Sequence, residues 1–565
     1  MIKSIIGRRP EVKPLVRGFS HGRALGYDCE TFIRPDGTAE INSLQFAGDD
    51  FPGEVLYVTN KNALAVFMSV LDQWTRKETI NTVWSHNAAY DLTALFLEFP
   101  KWVDKLADGY LKIEWPRATL EIFSGRVWFA KVRFGNHRRA DILDTFNFTF
   151  TSLEKSAKLF NVPFQKLPKP DQLGIRRFHG ETDFEKYALT DAAIAHSLGE
   201  KISEMHAEFN VPLCVSLAQL SGRVFRKHFL KSEVARPCAQ MEQIAIDSFH
   251  GGVSLARPGF YEKLQEYDIC SAYPEAMAAL GVPSEYRYIN SFGPLSAVYY
   301  IRGRVTDFRH PALFSPGFHP LIRSEYSYVT GYELAEAFDK GEFRGKVLDG
   351  VEVKFSQDTA LKDFVDCFFA IKAEAKVKGD KTRSHFYKKI LNSLYGKMIQ
   401  TMEVPNSVDF RAGGLWTPFL ATLITGFVRA KLHNLEHESE SVHASTDAVK
   451  TELYLQENSG LGGLTLECSG PCLIIRPKLY AHYDNLSHKW KFASHGLNQW
   501  PPELAWKQLW MEGRTKRRRC ISPKTAKLRK VPVLSWIDVE TKERAEIPIV
   551  SSAFDAALVD FFRFV

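Results

Sequence analysis

Long apolar runs are missing from this sequence: nowhere in its 565 residues do about 18 apolar residues follow one another, which excludes a membrane-spanning helix. The stretch from Met1 to Pro10 also lacks the apolar core and cleavage site of a secretory signal, so a soluble protein of the cytoplasm is expected. Cysteine is sparse and scattered. Of the eight, only Cys468 and Cys472 lie close together, without a second Cys/His pair at zinc-ligand spacing beside them, so all are read as reduced thiols. Internal repeats and low-complexity tracts are absent too, which excludes solenoids and disordered polar chains. What is present is a globular composition, 45% hydrophobic, in a chain long enough for two or more domains. The net charge of +7 is local: Arg514 to Lys530 holds nine Lys or Arg and no acid, leaving the rest near neutrality. Such a run is either a solvated loop or a contact for backbone phosphates.

Periodicity gives a coarse organisation. Strand-like runs at Ala24–Tyr27, Thr82–Trp84 and Val127–Val132 alternate with helical patterns at Leu64–Trp74 and Phe184–Met205, so the first third reads as α/β. Residues 280–360 look strand-rich. Two amphipathic patterns follow, Thr359–Lys378 and Thr382–Thr401, separated by Gly379 and Asp380 as in a helical hairpin.

Acidic residues collect in the first third. Asp28 and Glu30 end an apolar run and share a strand face at a spacing of two. Asp91 follows Val83-Trp84 and a polar turn, while Tyr187 and Asp191 share a helix face at i, i+4. Four carboxylates held together repel one another unless cations join them, and oxygen ligands favour two divalent ions of magnesium or manganese. An Asp-x-Glu pair alone is usually a surface feature; the ordered set Asp-x-Glu-Thr, His-Asn-x-x-Tyr-Asp, Tyr-x-x-x-Asp is far more specific. It resembles the three motifs of DnaQ-like 3′–5′ proofreading exonucleases, which have an RNase H-like fold and accompany B-family DNA polymerases. The resemblance implies Asp28, Glu30, Asp91 and Asp191 as metal ligands and Tyr187 as the residue orienting the attacking water. It also implies that Thr31, Asn87, Tyr90, Thr145 and Phe146 hold a single-stranded 3′ end; Tyr90 suits base stacking or a place in the core.

A second set lies downstream. Asp268 ends a short strand signal before a turn at Pro274, whose backbone N–H groups suit triphosphate oxygens, and Asp447 sits in a hairpin pattern from Val442 to Val449. Between them Lys388, Asn392 and Tyr395 fall at i, i+4 and i+7, a cation and an aromatic on one helix face. Alone, that face reads as a lysine lying over a core tyrosine. Together the segments resemble motifs A (Asp268–Pro274), B (Leu391–Lys397) and C (Ser445–Ala448) of B-family DNA polymerases, whose palm, fingers and thumb form a right hand. The resemblance implies Asp268 and Asp447 as ligands of two Mg2+ ions (or Mn2+) and Lys388 and Lys372 as triphosphate ligands. It further implies Asn392 and Tyr395 at the nucleotide and Tyr273 as the gate against a ribose 2′-hydroxyl; otherwise Tyr273 is a turn tyrosine packed before Pro274. Ser445 stands where the family usually carries an acid.

Further matches cover nearly the whole chain. Phe249-His250-Gly251-Gly252 resembles the Tyr-x-Gly-Gly link between the two activities, Thr425 and Arg429 a template-binding segment, and Lys478-Leu479-Tyr480 the Lys-x-Tyr motif at the primer terminus, with Lys and Tyr on one strand face. Length, the segment Leu361–Asp366 and the insertion near 285–355 resemble the protein-primed group of phages, adenoviruses and linear plasmids. This implies an α/β and α+β multidomain protein: exonuclease 1–205, palm 206–284, a terminal-protein region 285–355, fingers 356–402, palm 403–495 and thumb 496–565. Arg517, Arg518 and Arg519 of the thumb would follow duplex phosphates. The implied partners are primer-template DNA, deoxynucleoside triphosphates and a terminal protein primer, bound by a monomer without membrane contact. Two rival readings are a nuclease whose other half is only a DNA-binding scaffold, and a replication partner with neither activity.

Overall fold

The computed structural model describes residues 5–564, apart from Ile6, Arg8, His21, Asp49, 169–174, 405–408, Gly496, 498–501, Gly513, Arg514, Ser535 and 542–549. The run Leu25 to Tyr27 is buried on both faces, and it lies inside the strand Gly22–Ile33 at the centre of an eight-stranded sheet. That strand pairs in parallel with Ile80–Ser85, which pairs in parallel with Arg139–Asp144. Antiparallel strands extend both sides: Ala39–Gly48 then Phe51–Tyr57, and Trp128–Phe134, Ala118–Ser124 then Tyr110–Trp115. All three expected strand runs fall in this sheet, and the first helical pattern forms Ala63–Trp74. The second forms a helix of 27 residues, Thr182–Glu208. It lies against the central strand because Gly26 has no side chain: a Cβ there would come within 2.0 Å of the Ala192 carbonyl. The same contact sets Asp191 beside the acids of that strand.

A seven-stranded sheet, in the order Lys489–Ser494, Leu479–Asp484, Leu464–Arg476, Gly259–Ile269, Ala448–Thr451, His443–Ser445 and Ser254–Ala256, carries the second set of acids. Its register pairs Asp268 with Ala448, so Asp447 at the hairpin tip comes beside Asp268 across a long sequence separation. Packed on this sheet is the helix Pro418–Ser439, whose residues Phe419 to Gly426 are all buried. The strand-rich stretch folds as a four-stranded sheet of Pro283–Ile289, Phe343–Phe355, Ala297–Val305 and Glu325–Thr330. Its helix Gly331–Asp339 starts at a capping box of Thr330 and Glu333.

The helical hairpin forms as Ala360–Val377 and Lys381–Lys397, turned by Gly379 at φ +72° and capped by the Asp380 carboxylate on the Arg383 N–H. Its second helix ends four residues before the expected Thr401, because Thr401–Glu403 pairs with Phe410–Ala412 instead. The C-terminal stretch divides between two cores. Helices Pro502–Glu512 and Ser552–Phe564 pack through Trp506, Leu509, Phe554 and Leu558 on the strand Leu479–Asp484. By contrast, Leu534 joins the core of the first sheet, and Lys527 of the helix Pro523–Arg529 pairs with Asp108 at 2.6 Å.

Candidate functional site

Asp28 and Glu30 leave one face of the strand Gly22–Ile33, just before a bulge between Glu30 and Thr31. The helix Thr182–Glu208 turns Asp191 onto them, and ligand oxygens of Asp28, Glu30 and Asp191 lie within 4.8 Å of one another. Asp91, on the helix Ala88–Ala94, is set back. It accepts hydrogen bonds from Ser85 Oγ and, at 3.4 Å, from Cys29 Sγ, yet its charge is felt at Asp28. Burial, then Asp91, Glu30 and Asp191, raise the Asp28 carboxyl; burial lifts Asp91 to about 8 against its two hydrogen bonds. Burial also raises Asp191, opposed by Lys166, and Asp191 Oδ1 is buried without a hydrogen-bond partner. Three raised carboxyls beside Glu30 call for a cation, and an all-oxygen donor set fits magnesium or manganese.

Two residues of this cluster carried no sequence signal. Lys166 is ion-paired to Asp191 Oδ2 and stands 5.2 Å from the centroid of the Tyr187 ring, so one ammonium fixes both groups. Asp144 is buried and accepts from the N–H groups of Asn87, Ala88 and Phe146 at 2.9, 3.1 and 2.9 Å, which anchors the turn carrying Asn87. Burial nevertheless raises it to about 6. Around the cluster, Thr31 and Tyr90 join hydroxyls, Asn87 is exposed at φ +73°, and the rings of Phe146 and Phe150 are 40% and 48% exposed. Thr145 is fully buried, with its hydroxyl on the Ser85 carbonyl and His86 Nδ1, because it closes the strand Arg139–Asp144 into the next turn, where it braces His86.

In the second sheet Asp268 and Asp447 are half-buried neighbours. Burial, then Asp447 and Glu467, raise Asp268 to about 7, and burial raises Asp447; Lys388 opposes both shifts. Glu467 is the residue left over where the register slips between Glu266 and Tyr267, so a strand bulge supplies an acid near Asp268. Lys388 and Asn392 lie on the exposed side of the helix Lys381–Lys397. One turn on, Tyr395 stacks on Tyr273 with centroids 4.4 Å apart and planes 5° apart. Lys372 reaches from the other hairpin helix to Ser271 Oγ at 3.1 Å, and Ser271 itself is left-handed at φ +55° in the turn after Asp268. Gly252 closes the floor: a Cβ there would stand 2.8 Å from Thr446 and 3.0 Å from the Tyr273 hydroxyl. Exposed Gly251 precedes it.

Three expectations are corrected or left aside. Lys478 is not on a strand face with Tyr480; it turns at φ +60° before the strand Leu479–Asp484, and its amine lies 3.5 Å from Thr446 Oγ1, whereas Tyr480 is buried with its hydroxyl on Glu266. Thr425 and Arg429 are the residues expected at a template-binding segment. Both are buried, Arg429 Nε on Glu333 at 2.8 Å and its Nη1 on the carbonyls of His250 and Gly251 at 2.6 and 3.0 Å, so this arginine braces the glycine loop from within. Arg517, Arg518 and Arg519 lie in the strand Thr515–Cys520, paired with Trp536–Thr541; their side chains lie outside the described residues.

Comparison with known proteins agrees with this geometry. The family model of type B DNA polymerases, organellar and viral, matches residues 181–292 and 319–409. Over 302 residues the chain is 23% identical to a DNA-directed DNA polymerase of Enterobacteria phage PRD1, covering 53% of this chain and 51% of that one. It is 23% identical over 283 residues to the primer-independent DNA polymerase PolB of Escherichia coli, covering 44% of this chain and 32% of that protein. The matches thus span about half the length of the phage relative and about a third of the bacterial one. Among solved structures, phi29 DNA polymerase complexed with primer-template DNA and incoming nucleotide substrates matches with a TM-score of 0.66 at 13% identity, over 92% of this chain and 99% of that one. The chain therefore has the fold of phi29 DNA polymerase and is similar in sequence to the viral and organellar type B DNA polymerases.

Proposed function

We propose that this protein is a DNA-directed DNA polymerase that copies a viral or linear-plasmid genome from a protein primer and proofreads it with a 3′–5′ exonuclease. The observation that carries the reading is the pair Asp268 and Asp447, joined across two strands and faced by Lys388. Their half-buried carboxylates, with Glu467 near, are an oxygen donor set that fits two magnesium ions. Bound there, such ions neutralise phosphate charge and acidify a sugar hydroxyl. The chain's own side chains do the rest. Lys388 and Lys372 set positive charge where a triphosphate would lie, above the turn at Ser271. The stacked rings of Tyr273 and Tyr395 form a rigid wall at the sugar and base, which is how a 2′-hydroxyl is refused.

In the first cluster Asp28, Glu30, Asp91 and Asp191 would hold the ions for hydrolysis, with Tyr187 and Lys166 orienting water and Asp191. Phe146 and Phe150 present exposed faces for the bases of a frayed end. The four-stranded sheet 283–355 is the insertion that resembles a terminal-protein region and would take a priming protein, and the protein would act as a monomer in the host-cell cytoplasm. The similarity to a polymerase named as primer-independent favours a second reading of initiation alone, in which synthesis starts without any primer hydroxyl.

Incubation of the full chain with a labelled primer-template and nucleotides separates the readings. Extension supports a polymerase, shortening alone a nuclease with a scaffold half, and an unchanged primer neither activity. Adding a candidate primer protein and labelled nucleotide, with and without the enzyme, then tests priming: label on the protein supports it, and product formed from template alone supports primer independence.

A further inference from the structure

On the helix Pro418–Ser439, His433 and His437 are one turn apart and face the start of the strand Phe343–Phe355. Glu342, just before that strand, places Oε1 2.7 Å from His437 Nε2 and 3.2 Å from His433 Nε2. Asp307, in the loop after the strand Ala297–Val305, brings Oδ2 within 3.7 Å of His437 Nε2. The carbonyl oxygen of His310 adds a neutral oxygen 3.0 Å from His433 Nε2. Ligand atoms of Glu342, His433 and His437 thus lie within 4.8 Å of one another, with Asp307 beside His437.

The cluster is buried and its hydrogen bonding is incomplete. The side chains of His433 and Glu342 are 3% and 5% exposed, yet both oxygens of Glu342, His433 Nδ1 and His437 Nε2 lack a hydrogen bond of acceptable geometry. Among the described residues no lysine or arginine pairs with Glu342; Lys340 reaches Glu336 and Asp339 instead, each at 3.8 Å. Buried acids without a cation are costly, so an ion belongs in the middle.

We infer that His433, His437 and Glu342, with Asp307 beside His437, form a binding site for a zinc-class divalent ion that ties the four-stranded sheet to the helix Pro418–Ser439. Separations of 2.7 and 3.2 Å from Glu342 Oε1 to the two imidazole nitrogens lie near the edge of about 3.3 Å that a tetrahedron has when metal–ligand distances are about 2.0–2.1 Å. Imidazole nitrogens with carboxylates suit zinc, whereas magnesium takes oxygen, so this ion differs in kind from those of the two acidic sites. Outer contacts set the ligands: Asp307 Oδ1 accepts from the Arg309 and His310 N–H groups at 2.6 and 3.2 Å, which turns Oδ2 towards His437. Three protein ligands leave a fourth position for water or, after a small movement, for Asp307. His437, 27% exposed, leaves a way in.

The test uses the full chain, stripped with a chelator, dialysed against zinc and analysed for metal content beside Glu342→Gln and His437→Ala. Each variant should hold about one zinc ion per chain fewer than the wild type, since the acidic sites are unchanged and cancel in the difference. Zinc should also raise the Tm of the wild type by several degrees more than that of either variant. Equal zinc content and equal melting shifts would overturn the site, leaving protonated imidazoles paired with the acids. Should the variants fail to fold, cobalt(II) added to the stripped wild type decides: the intense visible bands of a tetrahedral ion support the site, and their absence rejects it.

Discussion

Lys166 shows how a residue with no pattern of its own can govern a site. Its amine is the partner of Asp191, a buried carboxylate that burial already raises, and it leans on the ring of Tyr187. Lys166→Met removes the cation that lowers the Asp191 carboxyl and frees Tyr187 to move. Shortening of labelled single-stranded DNA should slow by about 10- to 100-fold, as when an outer contact of a metal ligand is removed, while primer extension stays intact. Unchanged shortening would remove Lys166 from the site. The acids were legible because their spacings, two on a strand and four on a helix, are the periods of those elements. Lys166 was not: it stands in an irregular stretch 25 residues from Asp191, with nothing local to mark it. Glu467 escaped for a related reason, since a bulge, and not a regular register, places it near Asp268.

At the scale of elements, two buried groups carry consequences for stability. Arg429 joins the helix Pro418–Ser439 to Glu333 and to the His250–Gly251 loop. Burial would raise the Glu333 carboxyl, but Arg429 and the Thr330 hydrogen bonds hold it below its usual range. Arg429→Met strands that carboxylate, which typically costs about 3–5 kcal/mol, so urea denaturation should show a large loss of stability. A variant of unchanged stability that only bound template less tightly would instead support direct DNA contact. His206 in the helix Thr182–Glu208 is fully buried, Nδ1 facing the Ile202 carbonyl at 2.7 Å and Nε2 accepting from the Cys214 N–H at 3.2 Å, and burial depresses it to about 4. The unfolded chain takes up a proton near the ordinary imidazole value while the folded one does not. Its contribution is therefore full above about pH 6.5 and declines as pH falls towards 4, by about 2 kcal/mol at pH 5. Wild type should lose more stability than His206→Gln between pH 7 and pH 5 in urea titrations; parallel losses would contradict this. The helices themselves were legible from apolar periodicity, but Lys478 was misplaced because a positive φ turns the chain where alternation suggests a strand.

Across the whole molecule, the order of sheet, hairpin and sheet follows from the sequence, and the meeting of Asp268 with Asp447 needed only the motifs that bracket it. What local pattern could not reveal is how distant pieces share cores. The basic C-terminal segment has an amine already paired with Asp108, and Leu534 sits in the first core, so part of that charge holds two regions together. Lys389 lies 5.5 Å over the exposed ring of Phe150, linking the helix of Lys388 to the rim of the first acidic cluster. His433 and His437 stand one turn apart on a single helix, but Glu342 and Asp307 reach them from the inserted sheet. The two acidic clusters nevertheless stand in separate sheets, so the two activities proposed for them should be separable. Their separation is tested most directly by following a labelled primer on a template, with nucleotides present, for the wild type, Asp447→Ala and the double variant Asp28→Ala/Glu30→Ala. Extension should disappear in Asp447→Ala while shortening persists, and the double variant should extend without shortening; extension that survives Asp447→Ala intact would contradict the assignment of the polymerising site.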